Sequence, residues 1–346
     1  MESEPEILPE PPGHLPPPMA PGPSPRPAPQ RLGLHVGLFV ATFISAMWFQ
    51  SIDWSTSLGW KDAFLSPWRN PALLVDGVIF AAALLAILLA HEMGHYIVAR
   101  RNHVDQSLPY FIPAPTLFGT LGAVILMRSQ PANRRVLLRV AAAGPFAGLA
   151  LALPASIWGL MHSTPIVGAP TPGEPIIGGS VLWLLLVYGF VPTVHAAVNL
   201  HPVAVAGWAG LLVTGLNLIP AAQLDGGHIA YALFGRRQLT ISRAVVVMLL
   251  GLGVLFGAQG PGLVWLVWAV LLTLLGLRHP PVRDEYVRLS RRERTAGWLA
   301  LALFVLTFVP VPLVQDAAPR GGDRPGLEQP DEGEPQPDGT AEEYRL

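Results

Sequence analysis

No cysteine occurs anywhere in the chain, which excludes disulfides, thiolate-ligated zinc and iron–sulfur clusters. Any metal must therefore be held by His, Asp or Glu. Charge is scarce as well. Only 13% of the 346 residues are Asp, Glu, Lys or Arg, against roughly 25% in soluble domains. Lysine is almost absent: Lys61 stands alone, and arginine supplies the rest of the positive charge. The net charge of −1 leaves no basic footprint for nucleic acid. What the chain does have is apolar residues. They make up 51% of it, its mean hydropathy is +0.44, and they come in long runs that a soluble core does not need. An integral membrane protein is the first expectation.

Two polar tails flank the apolar region. Residues 1–31 are Pro-rich without an apolar run, which predicts a disordered cytosolic tail and not a signal peptide. Residues 315–346, rich in Pro, Gly, Asp and Glu, predict a second disordered, acidic tail. Between them, 32–314 is expected to be one membrane-embedded all-α domain. A crossing helix needs about 20 apolar residues. Stretches 32–51, 73–99, 136–160, 203–220, 243–258, 261–277 and 297–314 come near that, so about six to seven spans are expected. The apolar segment 180–200 is interrupted by Pro192, His195 and Asn199, which predicts a re-entrant, interfacial or partly inserted helix. Arginines cluster at alternate ends of the spans, at Arg100 and Arg101, Arg128 to Arg135, Arg236 to Arg243, and Arg278 to Arg294. The loops 161–179 and 258–261 carry none. The positive-inside rule then puts the N-terminal tail in the cytosol and the acidic tail outside.

The residues that carry chemistry begin with His91-Glu92-Met93-Gly94-His95. On a helix, i and i+4 share a face, so both imidazoles can reach one ion, and the Glu between them is the usual general base. The motif follows an unbroken apolar stretch from Ile79 to Ala90, and a charge inside a span marks function by default. A polar helix end near Arg100 is the plainer alternative. A hydrolytic zinc site needs three protein ligands and an open position. The best third candidate is Asp225, in Asn217-Leu-Ile-Pro220-Ala-Ala-Gln-Leu224-Asp225-Gly226-Gly227-His228. Pro220 breaks the preceding helix, and the two glycines permit turns that other residues resist. A helix-capping Asp is the alternative. If 180–200 does not cross, Asp225 lies at the same membrane face as the histidines.

These residues resemble the site-2 protease family of intramembrane metalloproteases. The likeness rests on His91-Glu92-x-x-His95, on Asn217-x-x-Pro220 with Leu224-Asp225-Gly226, and on Phe118-Gly119-Thr120-Leu121-Gly122-Ala123. It spans roughly 73–230, the expected catalytic core, with the motifs in the family's order. The resemblance implies Zn²⁺ held by His91, His95 and Asp225, with Glu92 as base. It implies that Asn217 binds the oxyanion or positions the substrate. A membrane-associated β-hairpin is implied near 108–128, where Gly119 and Gly122 pair with an unwound substrate strand; plain turn or packing glycines are the alternative. The implied substrate is a membrane protein, such as a single-span helix, cut within or beside the bilayer in regulated intramembrane proteolysis. Neither a PDZ nor a CBS module has room here.

Other polar positions stay open. Gly144-Pro145 either gives the third span a kink or a close helix approach near the site, or is ordinary helix packing. His195 and His201 are either a second metal pair or interfacial contacts. His228 either stabilises charge near the metal or hydrogen-bonds to its own loop. The rival functions are a membrane metal-ion transporter, for which an internal repeat and polar groups at full depth are missing, and an inactive protease-derived scaffold, against which the intact Glu92 stands. A bacterial cytoplasmic membrane, with the active site toward the cytosol, is the expected location.

Overall fold

The computed structural model describes residues 31–53, 59–165, 175–191, 198–257, 260–311 and 313–315. Residues 1–30 and 316–346 of the two expected tails, together with Pro192 and His195, lie outside them. The described residues are mostly helical. Four helical stretches are long and apolar enough to cross a membrane: α1 (Leu32–Gln50), α3 (Ala72–Arg101), α4 (Arg134–Met161), and Asp225–Leu255, which joins α7 (Asp225–Phe234) to α8 (Gln238–Leu255). The protein is accordingly a membrane protein.

Among the described residues, four such stretches stand against the expected six to seven spans, and helix length accounts for the difference. The stretch 203–220 folds as α6 (Pro202–Asn217), of 16 residues, and 261–277 as α9 (Leu263–Leu275), of 13. At 1.5 Å per residue these reach about 24 and 20 Å, short of a hydrocarbon core of roughly 30 Å. The expected separate span at 243–258 is the second half of the longer 225–255 stretch. The last helix, α10 (Arg291–Thr307), starts six residues before the expected 297 because Ser290 and Glu293 form a reciprocal capping box ahead of the apolar run. Segment 180–200 contains α5 (Val181–Phe190), ten residues long. A short amphipathic helix, α2 (Trp60–Arg69), lies between α1 and α3.

The core is built by α3, α4 and α6, which pack on one another around Phe80, Leu84, Ala152, Ala206 and Trp208. Small residues make this approach possible. A Cβ on Gly207 would overlap Ser156 of α4, and one on Gly94 would press on Ala143. Without a hydrophobic force between helices in lipid, such close packing is the main source of association. α4 runs unbroken through Pro145 and Pro154.

An antiparallel pair, β1 (Tyr110–Pro113) and β2 (Thr120–Val124), follows α3, with Tyr110 opposite Val124 and Phe111 opposite Ala123. It leans on α1, where Phe39 meets Phe111 edge-on and the His35 ring donates to the Pro109 carbonyl at 3.1 Å. At the far end of α4, His201 caps α6 and its ring meets Trp158. Strands β3 (Thr164–Pro165) and β5 (Val198–Asn199) pair antiparallel, as do β4 (Pro175–Ile177) and β6 (Leu313–Gln315).

Candidate metal centre

His91 and His95 lie on the buried face of α3, one turn apart, as the i, i+4 spacing requires. Asp225 is brought to them by a sharp return. α6 ends at Asn217, the chain turns through Leu218–Leu224 with Ala222 at φ 51°, and α7 starts at Asp225. Gly226 and Gly227 are needed here for close approach. Neither has a positive φ. A Cβ on Gly226 would overlap the Leu218 carbonyl, and one on Gly227 the carbonyls of Ala221 and Ala222. The expected turn role is corrected accordingly: these glycines let the first turn of α7 sit against its own connecting loop. Asp225 is the first residue of α7 and not its N-cap, which is Leu224. Its carboxylate is turned to the imidazoles instead.

The three ligand atoms converge. Asp225 Oδ2 lies 3.1 Å from Nε2 of His91 and 3.1 Å from Nε2 of His95, and the two nitrogens are 3.2 Å apart. A tetrahedral ion with bonds of about 2.0–2.1 Å separates its ligands by roughly 3.3 Å, so this triangle is one face of such a site. The donor chemistry agrees. His95 donates from Nδ1 to the Val140 carbonyl at 2.8 Å, which leaves the neutral ring's Nε2 as a bare lone pair facing a carboxylate. A cation held in common relieves that opposition. The residues present therefore fit a zinc ion. Among the described residues, this is the one cluster of three or more such side chains that can hold a metal.

The other expected site residues fall unevenly around it. Glu92 is buried and lines the same cavity, of about 180 Å³, as the three ligand candidates and Asn217. Asn217, the last residue of α6, points Nδ2 at His91 Nε2 from 3.4 Å. The strand β2 reaches the cavity through Ala123 and Val124. Gly119 (φ 68°) is pressed against the α1 backbone at Ala46, while Gly122 (φ 92°) has open space on its side-chain face.

The sequence left the roles of Gly144 and His228 open and did not single out Gly148 or His279. Gly144 and Gly148 on α4 form a seat for the two imidazoles: a Cβ on Gly144 would overlap the His95 ring, and one on Gly148 would lie 3.1 Å from His91 Nδ1. The small-xxx-small spacing of this pair was the available signal. His228, which also lines the cavity, is held by His279 from outside the helices, with His228 Nδ1 and His279 Nε2 2.6 Å apart. His279 bonds through Nδ1 to the Pro280 carbonyl, and Tyr231 stacks on its ring at 4.2 Å. A carbonyl only accepts, so His279 Nδ1 carries the proton. Burial lowers the pKa of His279 and keeps it neutral. Its Nε2 thus accepts from His228 Nδ1, and a neutral His228 shows the cavity a lone pair. His201 caps α6 beside Trp158 and His162, at the far end of α4.

A helical membrane protein with a His–Glu–His helix facing a returning Asp defines a narrow class, and comparison places the chain in it. The family model described as Peptidase family M50 matches residues 79–258, more than half of the sequence. The chain belongs to Peptidase family M50. It is 34% identical over 255 residues to a protein of Arabidopsis thaliana named probable zinc metalloprotease EGY2, chloroplastic, covering 72% of this chain and 44% of that protein. It is also 34% identical over 249 residues to the Arabidopsis protein named probable zinc metalloprotease EGY1, chloroplastic, covering 68% and 44%. A rice relative with the EGY2 name, from Oryza sativa subsp. indica, is 32% identical over 263 residues, covering 74% and 47%. The chain thus spans less than half the length of these curated relatives. No solved structure matches it.

Proposed function

We propose that this chain is an intramembrane zinc metalloprotease that hydrolyses peptide bonds of membrane-spanning proteins. The observation that carries the reading is the triangle of His91, His95 and Asp225 ligand atoms with Glu92 beside it in one cavity. The family membership and the relatives' names support the same chemistry. Bound at the triangle, zinc supplies a Lewis acid and a water acidic enough to ionise near pH ~7. Glu92 accepts the proton of the attacking water and returns it to the departing amine. Asn217 donates its amide N–H toward the carbonyl oxygen as that atom gains negative charge. The cavity-facing side of β2 offers an edge to which an unwound substrate can add as a strand, with the open face of Gly122 beside it.

A helix cannot be cut while its amides are internally bonded, so substrates with helix-weakening residues near the cut are favoured. The domain reading goes with this proposal: residues 32–314 act as the protease domain between two polar tails. The arginine-rich ends of α3, α4 and α10 support a site open toward the cytosolic side of the membrane. A bacterial cytoplasmic membrane in particular gains no support from the relatives, whose names say chloroplastic.

The test is zinc content and cleavage of a single-span substrate, measured together on the purified protein. Wild type and Glu92→Gln should both carry near-stoichiometric zinc, with cleavage by wild type alone. Asp225→Ala should lose most of its zinc. Cleavage by Glu92→Gln would remove Glu92 as the base, and full zinc in Asp225→Ala would remove the third ligand.

A further inference from the structure

We propose that the protein binds an anionic phospholipid in a basic pocket where α4, α7 and α10 meet, away from the metal centre. The pocket has a volume of about 280 Å³ and is lined by Arg134, Arg288 and Arg294, with Leu233, Phe234 and Trp298 as an apolar wall. The acids at this end are engaged elsewhere: Glu293 binds Arg135 at 3.1 Å and Arg139 at 2.7 Å, Glu285 accepts from the Tyr231 hydroxyl at 2.8 Å, and Asp284 accepts from the Tyr286 backbone N–H at 2.9 Å. Arg134, Arg288 and Arg294 have no acidic partner among the described residues. The Nε of Arg134 is buried without any hydrogen-bond partner. A buried guanidinium N–H left unbonded is costly, and a phosphate oxygen satisfies it while neutralising the cluster.

The second half of the pocket says what kind of anion fits. Phe234 and Trp298 meet edge-on with centroids 5.6 Å apart. Trp298 and Leu299 are more than half exposed on the outer side of α10. An aromatic belt residue beside arginines is the signature of the headgroup level of a bilayer, and basic pockets between spanning helices take lipid phosphates. A soluble anion has no use for the apolar wall, whereas a phospholipid places its phosphate on the arginines and its acyl chain along Leu233 and Trp298.

The acidic C-terminal tail is the obvious internal competitor, but the last described strand, β6, stands away from the pocket. Arg134 and Arg291 open α4 and α10 at the same end, where the Asp284 backbone N–H bonds to the Ala132 carbonyl at 2.9 Å. α10 then runs the length of its 17 residues, about 25 Å, away from the pocket before β6 pairs with β4.

The test is retention of lipid by the full-length protein in detergent, read by native mass spectrometry. The probes are phosphatidylglycerol, phosphatidylcholine and inorganic phosphate. Wild type should retain phosphatidylglycerol over phosphatidylcholine, and the Arg288→Ala/Arg294→Ala double variant should lose that preference by about 30-fold. The Arg288→Lys/Arg294→Lys variant keeps the charge and should keep most of the preference, which separates lost binding from lost folding. Equal retention of the two lipids by wild type, or an alanine variant that still prefers phosphatidylglycerol, overturns the proposal. So does displacement of the lipid by an equal concentration of inorganic phosphate, which would leave an anion pocket without lipid selectivity.

Discussion

At the level of single residues, the metal centre depends on what is absent from α4 as much as on what α3 carries. The His95 imidazole occupies the space where any side chain at 144 would stand. Gly144→Ala should therefore expel His95 from its bond to Val140 and cut zinc content at least ~10-fold, as loss of a supporting contact to a metal ligand does. Gly148→Ala is the control, because its Cβ meets His91 Nδ1 at 3.1 Å and a shift of a few tenths of an ångström accommodates it. Zinc should fall far less there, as metal analysis of the two purified variants would reveal. His279 matters differently. His279→Leu strands the buried Nδ1–H of His228, at a cost of about 1–3 kcal/mol. A lowered midpoint of thermal unfolding is expected, and an unchanged midpoint would mean that the two rings are not bonded. The sequence displayed His91, Glu92 and His95 because one helix sets their spacing. It left the role of Gly144 open and did not mark His279, because their contacts are made across elements 45 or more positions apart.

Among elements, the joints are polar and the contact faces small. Glu293 is the clearest joint: its carboxylate caps α10 from inside and also binds Arg135 and Arg139 of α4. Both arginines are more than a third exposed, so the ion pairs themselves are screened and contribute little. Removing the carboxylate costs the cap as well, and Glu293→Ala should destabilise the protein by about 1–2 kcal/mol. A thermal unfolding series in detergent reads this directly. Glu293→Gln should retain part of the stability, because the amide still accepts at the Ser290 backbone. The sequence conveyed these elements in part. Long apolar runs mark α1, α3 and α4, since composition alone decides a lipid-facing helix. The short helices were overestimated because an apolar run does not say whether it faces lipid or protein. α6 is buried along nearly its whole length between α3 and α4 and has to stop at Asn217, where the chain turns back to Asp225.

For the molecule as a whole, the open quantity is which end of the bundle faces which side, and the missing cysteines make it directly measurable. The arginine-rich end gathers the starts of α4 and α10 and the loop that carries Tyr286; the opposite end holds Met161 and the start of α6. Tyr286 is 93% exposed and Met161 62% exposed, so a single cysteine at either place is reachable by solvent without disturbing the core. Positive charge is retained on the cytosolic side during insertion. In intact cells or sealed membranes, a membrane-impermeant maleimide should then label Met161→Cys, while Tyr286→Cys should react only after the membrane is opened. The native chain, lacking thiols, gives no background. The reverse pattern would turn the metal centre's nearer opening and the basic pocket toward the outer face, and the lipid bound there would have to come from the other leaflet. Labelling of both positions from outside would mean that α4 does not cross. The result also constrains the chemistry, because His95 sits six residues from the α3 terminus at Arg101, within about 9 Å of the arginine-rich surface. Water for hydrolysis has its shortest path from that side, and the side that the maleimide cannot reach is the side from which the cut is supplied.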